Sequence, residues 1–166
     1  MNAQKWYAMG RYAFSLGENK RAYLFFRNET DHDRFANINY RIVPASGVGY
    51  WVFDEPRIKL MGEMAAGWEH TDYRDGTDNN SDAALIPRAY FEKNLFANTT
   101  ISADIVYYPI FEDFSDYRLR SEANLSHKLN EKLALNLSVI DEYDSQPAEN
   151  VKENDLRLLS SVVYAF

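Results

Sequence analysis

Along most of this chain apolar and polar residues alternate with period two, the spacing of an extended strand whose two faces meet different surroundings. In residues 6–16, Trp6, Ala8, Gly10, Tyr12, Phe14 and Leu16 oppose Tyr7, Met9, Arg11, Ala13 and Ser15. The same alternation predicts strands over 21–29, 37–53, 58–73, 83–93, 99–108, 117–129, 133–142 and 155–166, nine in all, and no helix. Pro44 falls inside the third, where a missing amide hydrogen predicts a bulge or an edge. The connections also alternate. Residues 17–20, 54–57, 94–98 and 130–132 make short turns, whereas 30–33, 74–82, 111–116 and 145–154 make longer, more polar loops.

Short turns at one end and long loops at the other predict an all-β, antiparallel up-and-down meander. Strands of ten or more residues suit a tilted crossing of a hydrocarbon layer. A soluble sandwich uses strands nearer five or six residues and Greek-key connections. The last strand sharpens the reading. Leu156, Leu158, Val162, Tyr164 and Phe166 share one face, interrupted only by Ser160, and the sequence stops on the aromatic. It resembles the closing strand of a bacterial outer-membrane β-barrel, with Phe166 as the signal read by the barrel assembly machinery. The lipid-facing positions expected from this parity are Leu119, Leu125, Leu135, Leu137, Val162 and Tyr164.

Composition fits a wall with one wet face. With 15% aromatic residues, 12 Tyr, 10 Phe and 26% charged residues, the chain is rich in strand formers yet polar. The 166 residues suggest one domain, and no apolar run is long enough for a transmembrane helix. A net charge of −7 speaks against nucleic acid as a partner, and the absence of cysteine excludes disulfides and thiolate metal sites.

Three stretches carry a family resemblance. They are Glu69-His70-Thr71-Asp72-Tyr73, the run from Phe111 to Glu122, and Tyr143-Asp144-Ser145-Gln146-Pro147 with Asn154-Asp155-Leu156-Arg157. In order and over nearly the whole chain, these resemble the salt-induced outer-membrane proteins, a family of unknown function. The resemblance implies a barrel in the outer membrane of a Gram-negative bacterium, with outer-membrane lipids as surroundings. It brings no cofactor, ligand or reaction.

On a closed barrel, Arg11, Arg27, Arg41, Glu63, Arg88, Glu92, Asp104, Arg118, Arg120, Glu122 and Arg157 converge in the lumen. Charges there need partners or water, so either a plug of ion pairs or a pore passing small solutes or ions is expected. Residues 72–82 place oxygen ligands at alternate positions but lack the Glu that completes an EF-hand loop, so a solvated loop without metal is the expectation. Of the three histidines, His32 and His70 stand near aspartates and His127 falls on the apolar face near a turn. His32 and His70 are the only starting points for catalysis at the rim, and neither has a convincing nucleophile beside it, so no enzyme is expected. Trp6, Trp51, Trp68, Tyr107 and Tyr164 are candidates for interfacial aromatic girdles, or for core packing. The function expected is a structural or pore-type envelope role. A soluble β-barrel carrier of small apolar ligands and a hydrolase at the barrel rim are the alternatives.

Nine is an odd number, while bacterial single-chain barrels have even numbers of strands. Residues 1–17 also lack the apolar core of a signal peptide. The single domain over 1–166 is therefore expected to lack its first strands, three more of which would make twelve.

Overall fold

A computed structural model describes residues 5–74, 80–147 and 151–164 of the chain. Phe166 and residues 75–79 of the acidic loop lie outside the described residues. The fold is all-β. Nine strands, β1 (Lys5–Leu16), β2 (Ala22–Asp33), β3 (Ile38–Glu55), β4 (Ile58–Tyr73), β5 (Asn80–Phe96), β6 (Thr99–Pro109), β7 (Tyr117–Lys128), β8 (Leu133–Asp144) and β9 (Asn154–Tyr164), follow one another. They form a single antiparallel sheet in sequence order, with each strand paired to the next. No helix occurs among the described residues. The sheet is not closed, since β1 and β9 are its two edges.

Local chemistry explains the turns. Gly17 at φ 70° and Lys20 at φ 53° bend the chain between β1 and β2. There the Asn19 side-chain oxygen accepts the Arg21 amide at 3.2 Å. Between β3 and β4 only Pro56 and Arg57 intervene, and the fixed φ of proline suits that tight reversal.

Three expectations about the strands are corrected. Residues 30–33, read as a loop, continue β2, because Asp31 and Asp33 keep the alternation and point into the interior with Arg27 and Glu29. Pro44 makes neither a bulge nor an edge. It pairs with Asn28 on one side; toward β4 the ladder passes over Val43 and Pro44 without a change of register, and the register shifts of β3 lie between Ile38 and Tyr40 and between Trp51 and Phe53. The first of these turns Ile38 inward, where it is buried, while Tyr40 two residues on is exposed. The turn expected over 94–98 shrinks to Ala97 and Asn98, since β5 runs on to Phe96 through a register shift after Asn94.

The sheet curls so that its concave face is the interior. Tyr23, Phe25, Val43, Ala45, Ala65 and Ile86 form the centre of a packed cluster there, with Trp51 and Tyr90 against it. Trp51 therefore belongs to the interior rather than to a girdle, its ring 6.5 Å from Tyr23 and 6.4 Å from Tyr90. Two glycines of β3 make the curl tight enough. A Cβ on Gly47 would lie 2.3 Å from the Met64 carbonyl oxygen, and one on Gly49 would lie 2.2 Å from the Tyr23 ring. Gly49→Ala is accordingly expected to cost about 1–3 kcal/mol of unfolding free energy. Gly10→Ala, whose Cβ meets nothing within 4 Å, is the matched control. Equal denaturation midpoints for the two variants would contradict this account.

Candidate functional site

The interior is built around buried carboxylates that each gather cations from several strands. Glu63 of β4, with a side chain 1% exposed, takes an ion pair from Arg11 of β1 and another from Arg88 of β5 at 3.0 Å. Tyr23 of β2 donates its hydroxyl to the same carboxylate at 2.7 Å. Arg88 also holds Asp104 of β6 through its Nε at 2.9 Å. One side chain thus ties β1, β2 and β5 to β4. The register explains why Arg11 reaches so far. It stands directly opposite Arg27, and like charges across a strand pair repel unless each turns to a carboxylate of its own.

Arg27 turns to Glu29 at 3.3 Å. Glu29 also accepts the hydroxyl of Tyr108, from β6, at 2.8 Å. The Tyr108 ring lies between two guanidinium groups, 5.8 Å from Arg27 and 4.7 Å from Arg118. Arg118 of β7 crosses the interior to pair with Glu69 of β4, which also receives Arg41 at 3.4 Å. A third gathering forms on Glu142 of β8. Lys5 of β1 approaches it to 2.8 Å, Arg157 of β9 to 2.5 Å and Arg120 of β7 to 3.6 Å. Lys5 also pairs with Asp33 at 2.8 Å and reaches Asp155 of β9 at 3.7 Å. Side chains alone therefore span the two edges of the sheet near its long-loop end.

All eleven charged residues expected in a lumen lie on the concave face and have charged partners there. Glu122 pairs with Arg120, and Glu92 with Lys59 at 3.0 Å. The geometry adds Lys5, Tyr23, Glu29, Asp33, Glu69, Tyr108 and Glu142. Their signal in the sequence was parity, since Glu29 alternates with Arg27 and Glu69 with Glu63. The cross-interior partners had no such signal.

Toward the long-loop end the interior is hollow. A cavity of about 470 Å³ is lined by Tyr7, Asp31, Tyr73, Tyr108, Arg118 and Glu142, among others. A second, of about 330 Å³, lies alongside it, sharing Arg41, Tyr73, Arg118 and Asp144. Nearer the short-turn end the interior is filled, by Tyr23, Phe25 and Met61 with Trp51 and Tyr90.

The convex face carries the opposite chemistry. Leu125, Leu135, Leu137, Val162 and Tyr164 are exposed on it, and Leu119 is half-buried. Phe26 is 55% and Leu158 69% exposed there, against 4% for Arg27 on the concave side. Trp6, Trp68 and Tyr164 are exposed outward, and Tyr107, Tyr117 and Tyr143 form a row with centroids 5.3 and 5.7 Å apart.

The histidines sit on this outer face. His70 is paired with Ser81, Nδ1 to Oγ at 2.6 Å, a neighbour that sequence distance concealed. Asp72 accepts from Asn39 at 2.5 Å instead of orienting that imidazole. His32 stacks on Trp6 and donates from Nδ1 to the Asn39 carbonyl, and His127 meets Thr99 at 2.9 Å. Among the described residues no group of three or more His, Cys, Asp or Glu side chains could hold a metal ion.

The loop between β6 and β7 holds two carboxyls with opposite behaviour. Asp113 is held below the usual carboxylate range by the Ser115 hydroxyl and amide. Asp116 is pushed up, first by burial and then by Asp144 and Asp82. With its folded pKa above the unfolded one, Asp116 makes a contribution that is fully present below the unfolded pKa and is lost as pH rises through the folded value. Asp116→Asn should therefore raise the melting temperature at pH 7 more than at pH 4. An equal shift at both values would remove the electrostatic explanation.

The family model described as a protein of unknown function, DUF481, matches the chain over residues 1–166. No curated protein and no solved structure matches it.

Proposed function

We propose, for a chain that belongs to the DUF481 family of proteins of unknown function, a structural role as the wall of an outer-membrane β-barrel with a plugged interior. The observation that carries this reading is the inversion of the two faces. Water-soluble proteins bury apolar side chains and leave charges outside, and Lys, Arg, Asp and Glu are almost never fully buried unless paired. Here the buried face holds Arg27, Arg41, Glu63 and Glu69 in ion pairs, while Phe26, Leu158 and Val162 stand on the outside. An apolar exterior of this breadth fits hydrocarbon, and rows of Trp and Tyr fit its interfaces. The resemblance to salt-induced outer-membrane proteins agrees with it and supplies the Gram-negative outer membrane as the location.

Side chains that reach across the interior favour a plug over a pore. Glu63–Arg11, Tyr108–Glu29 and Glu69–Arg118 each join strands that are not neighbours. The reading includes no catalytic step. Its test has two parts. The protein should require detergent or lipid to stay folded, with a folded form that migrates differently from the heated one on a gel. Reconstituted in planar bilayers, it should give no steady open-channel current. A protein that remains folded and monodisperse in plain buffer would refute the membrane placement. A stable conductance would refute the plug and leave a pore.

A further inference from the structure

We propose that the larger cavity at the long-loop end binds a small organic cation, held by the carboxylate of Asp31. The argument is an account of charges around that space. Each strand-borne cation lining it is already engaged: Lys5 by Asp33 and Glu142, Arg41 and Arg118 by Glu69, Arg120 by Glu122 and Glu142; Lys152, exposed in the loop before β9, is the lining cation without an ion pair among the described residues. The neighbouring carboxylates Glu29, Glu142 and Asp155 are engaged in turn. Asp31 is not. Its side chain forms no hydrogen bond and no ion pair among the described residues, although it lies on the concave face and lines the cavity. Its partner in register is Arg41, directly across the strand pair, but that guanidinium is aimed at Glu69 and at the Thr71 hydroxyl 3.3 Å away. Arg41, Arg118 and Lys5 act on Asp31 only from beyond ion-pair distance, and a partly desolvated carboxylate without a direct ion pair favours a cation that can make one.

The walls are suited to an organic cation rather than a bare ion. Tyr7, Tyr73 and Tyr108 line the same space; Tyr108 is already held between Arg27 and Arg118, and Tyr7 carries Arg120 at 5.0 Å, so Tyr73 is the ring open to a ligand cation. The Tyr73 side chain forms no hydrogen bond among the described residues and leaves its ring and hydroxyl to a ligand. Asp144, which accepts only the Gln146 backbone amide at 3.0 Å, adds a second carboxylate without a cation. A cavity of about 470 Å³ has room for a ligand of drug-like size or smaller. This proposal needs the curled interior but not its placement in a bilayer, so it stands or falls separately from the membrane reading.

Calorimetric titration of the folded protein, in micelles or in buffer as its solubility dictates, tests it with three isosteres. Benzylammonium, benzyl alcohol and benzoate share a ring and differ in charge. Benzylammonium should bind with one-to-one stoichiometry, and the neutral and anionic probes at least tenfold more weakly. Asp31→Asn should weaken benzylammonium at least tenfold, while Asp54→Asn at the short-turn end leaves it unchanged. No binding of benzylammonium, equal binding of the three probes, or unaltered binding by a folded Asp31→Asn protein each overturns the proposal. If that variant does not fold, the isostere series on the unaltered chain decides alone.

Discussion

Glu63→Ala is expected to lower the unfolding free energy by about 3–5 kcal/mol, because breaking a buried ionic gathering strands the charges left behind. Arg11 and Tyr23 lose their only side-chain acceptor among the described residues, while Arg88 keeps Asp104. Denaturant titration of the folded protein in micelles measures the loss. Glu63→Gln separates charge from shape, since it can still accept the Tyr23 hydroxyl but offers the two arginines no counter-charge. It should fall between the parent and the alanine variant. A loss below about 1 kcal/mol for Glu63→Ala would place the carboxylate among solvated surface pairs, whose net contribution is of that size.

Leu137→Arg tests the opposite face. Leu137 stands outward on β8 with Leu125 across one pair and Ser160 across the other. If the strands cross a bilayer with this position near the midplane, an arginine there costs about 2–4 kcal/mol of folding into lipid. Ser138→Arg, one residue along and facing the wetted side, should cost much less in the same vesicles. The contrast between adjacent positions is the decisive readout. Similar losses at 137 and 138 would mean that the convex face does not meet hydrocarbon.

Strand existence and facing were legible because both follow from local alternation. Residues 117–129 read as one strand in sequence and β7 spans Tyr117–Lys128, and Arg88, Tyr90 and Glu92 lie inward as their parity requires. Strand ends were less legible where polar residues belong to the interior. Asp31 and Asp33 look like loop residues, yet the curl turns them toward Lys5 and the cavity. The shift beside Ile38 was invisible because a bulge changes parity without leaving a compositional mark. Pro44 marked a bulge that is not there, since an outward proline within a curled ladder can be tolerated without one. Nor could the sequence pair Arg118 with Glu69, or Tyr108 with Glu29. Those partners depend on how tightly the sheet curls, which the close approach at Gly47 and Gly49 sets.

The ties that cross the interior also constrain the order of events during assembly. Glu63 of β4 draws its partners from β1, β2 and β5, and Glu29 of β2 waits for Tyr108 of β6. A hairpin of β1 and β2 alone would present Arg11, Arg27 and Glu29 to its surroundings with most of their ligands unmade. Loop closure over such separations is slow, and in hydrocarbon the unpaired charges would be intolerable. On the membrane reading, strands therefore cannot enter one hairpin at a time. Curling and insertion have to proceed together, with the charged face turned inward before the apolar face is fully surrounded by lipid.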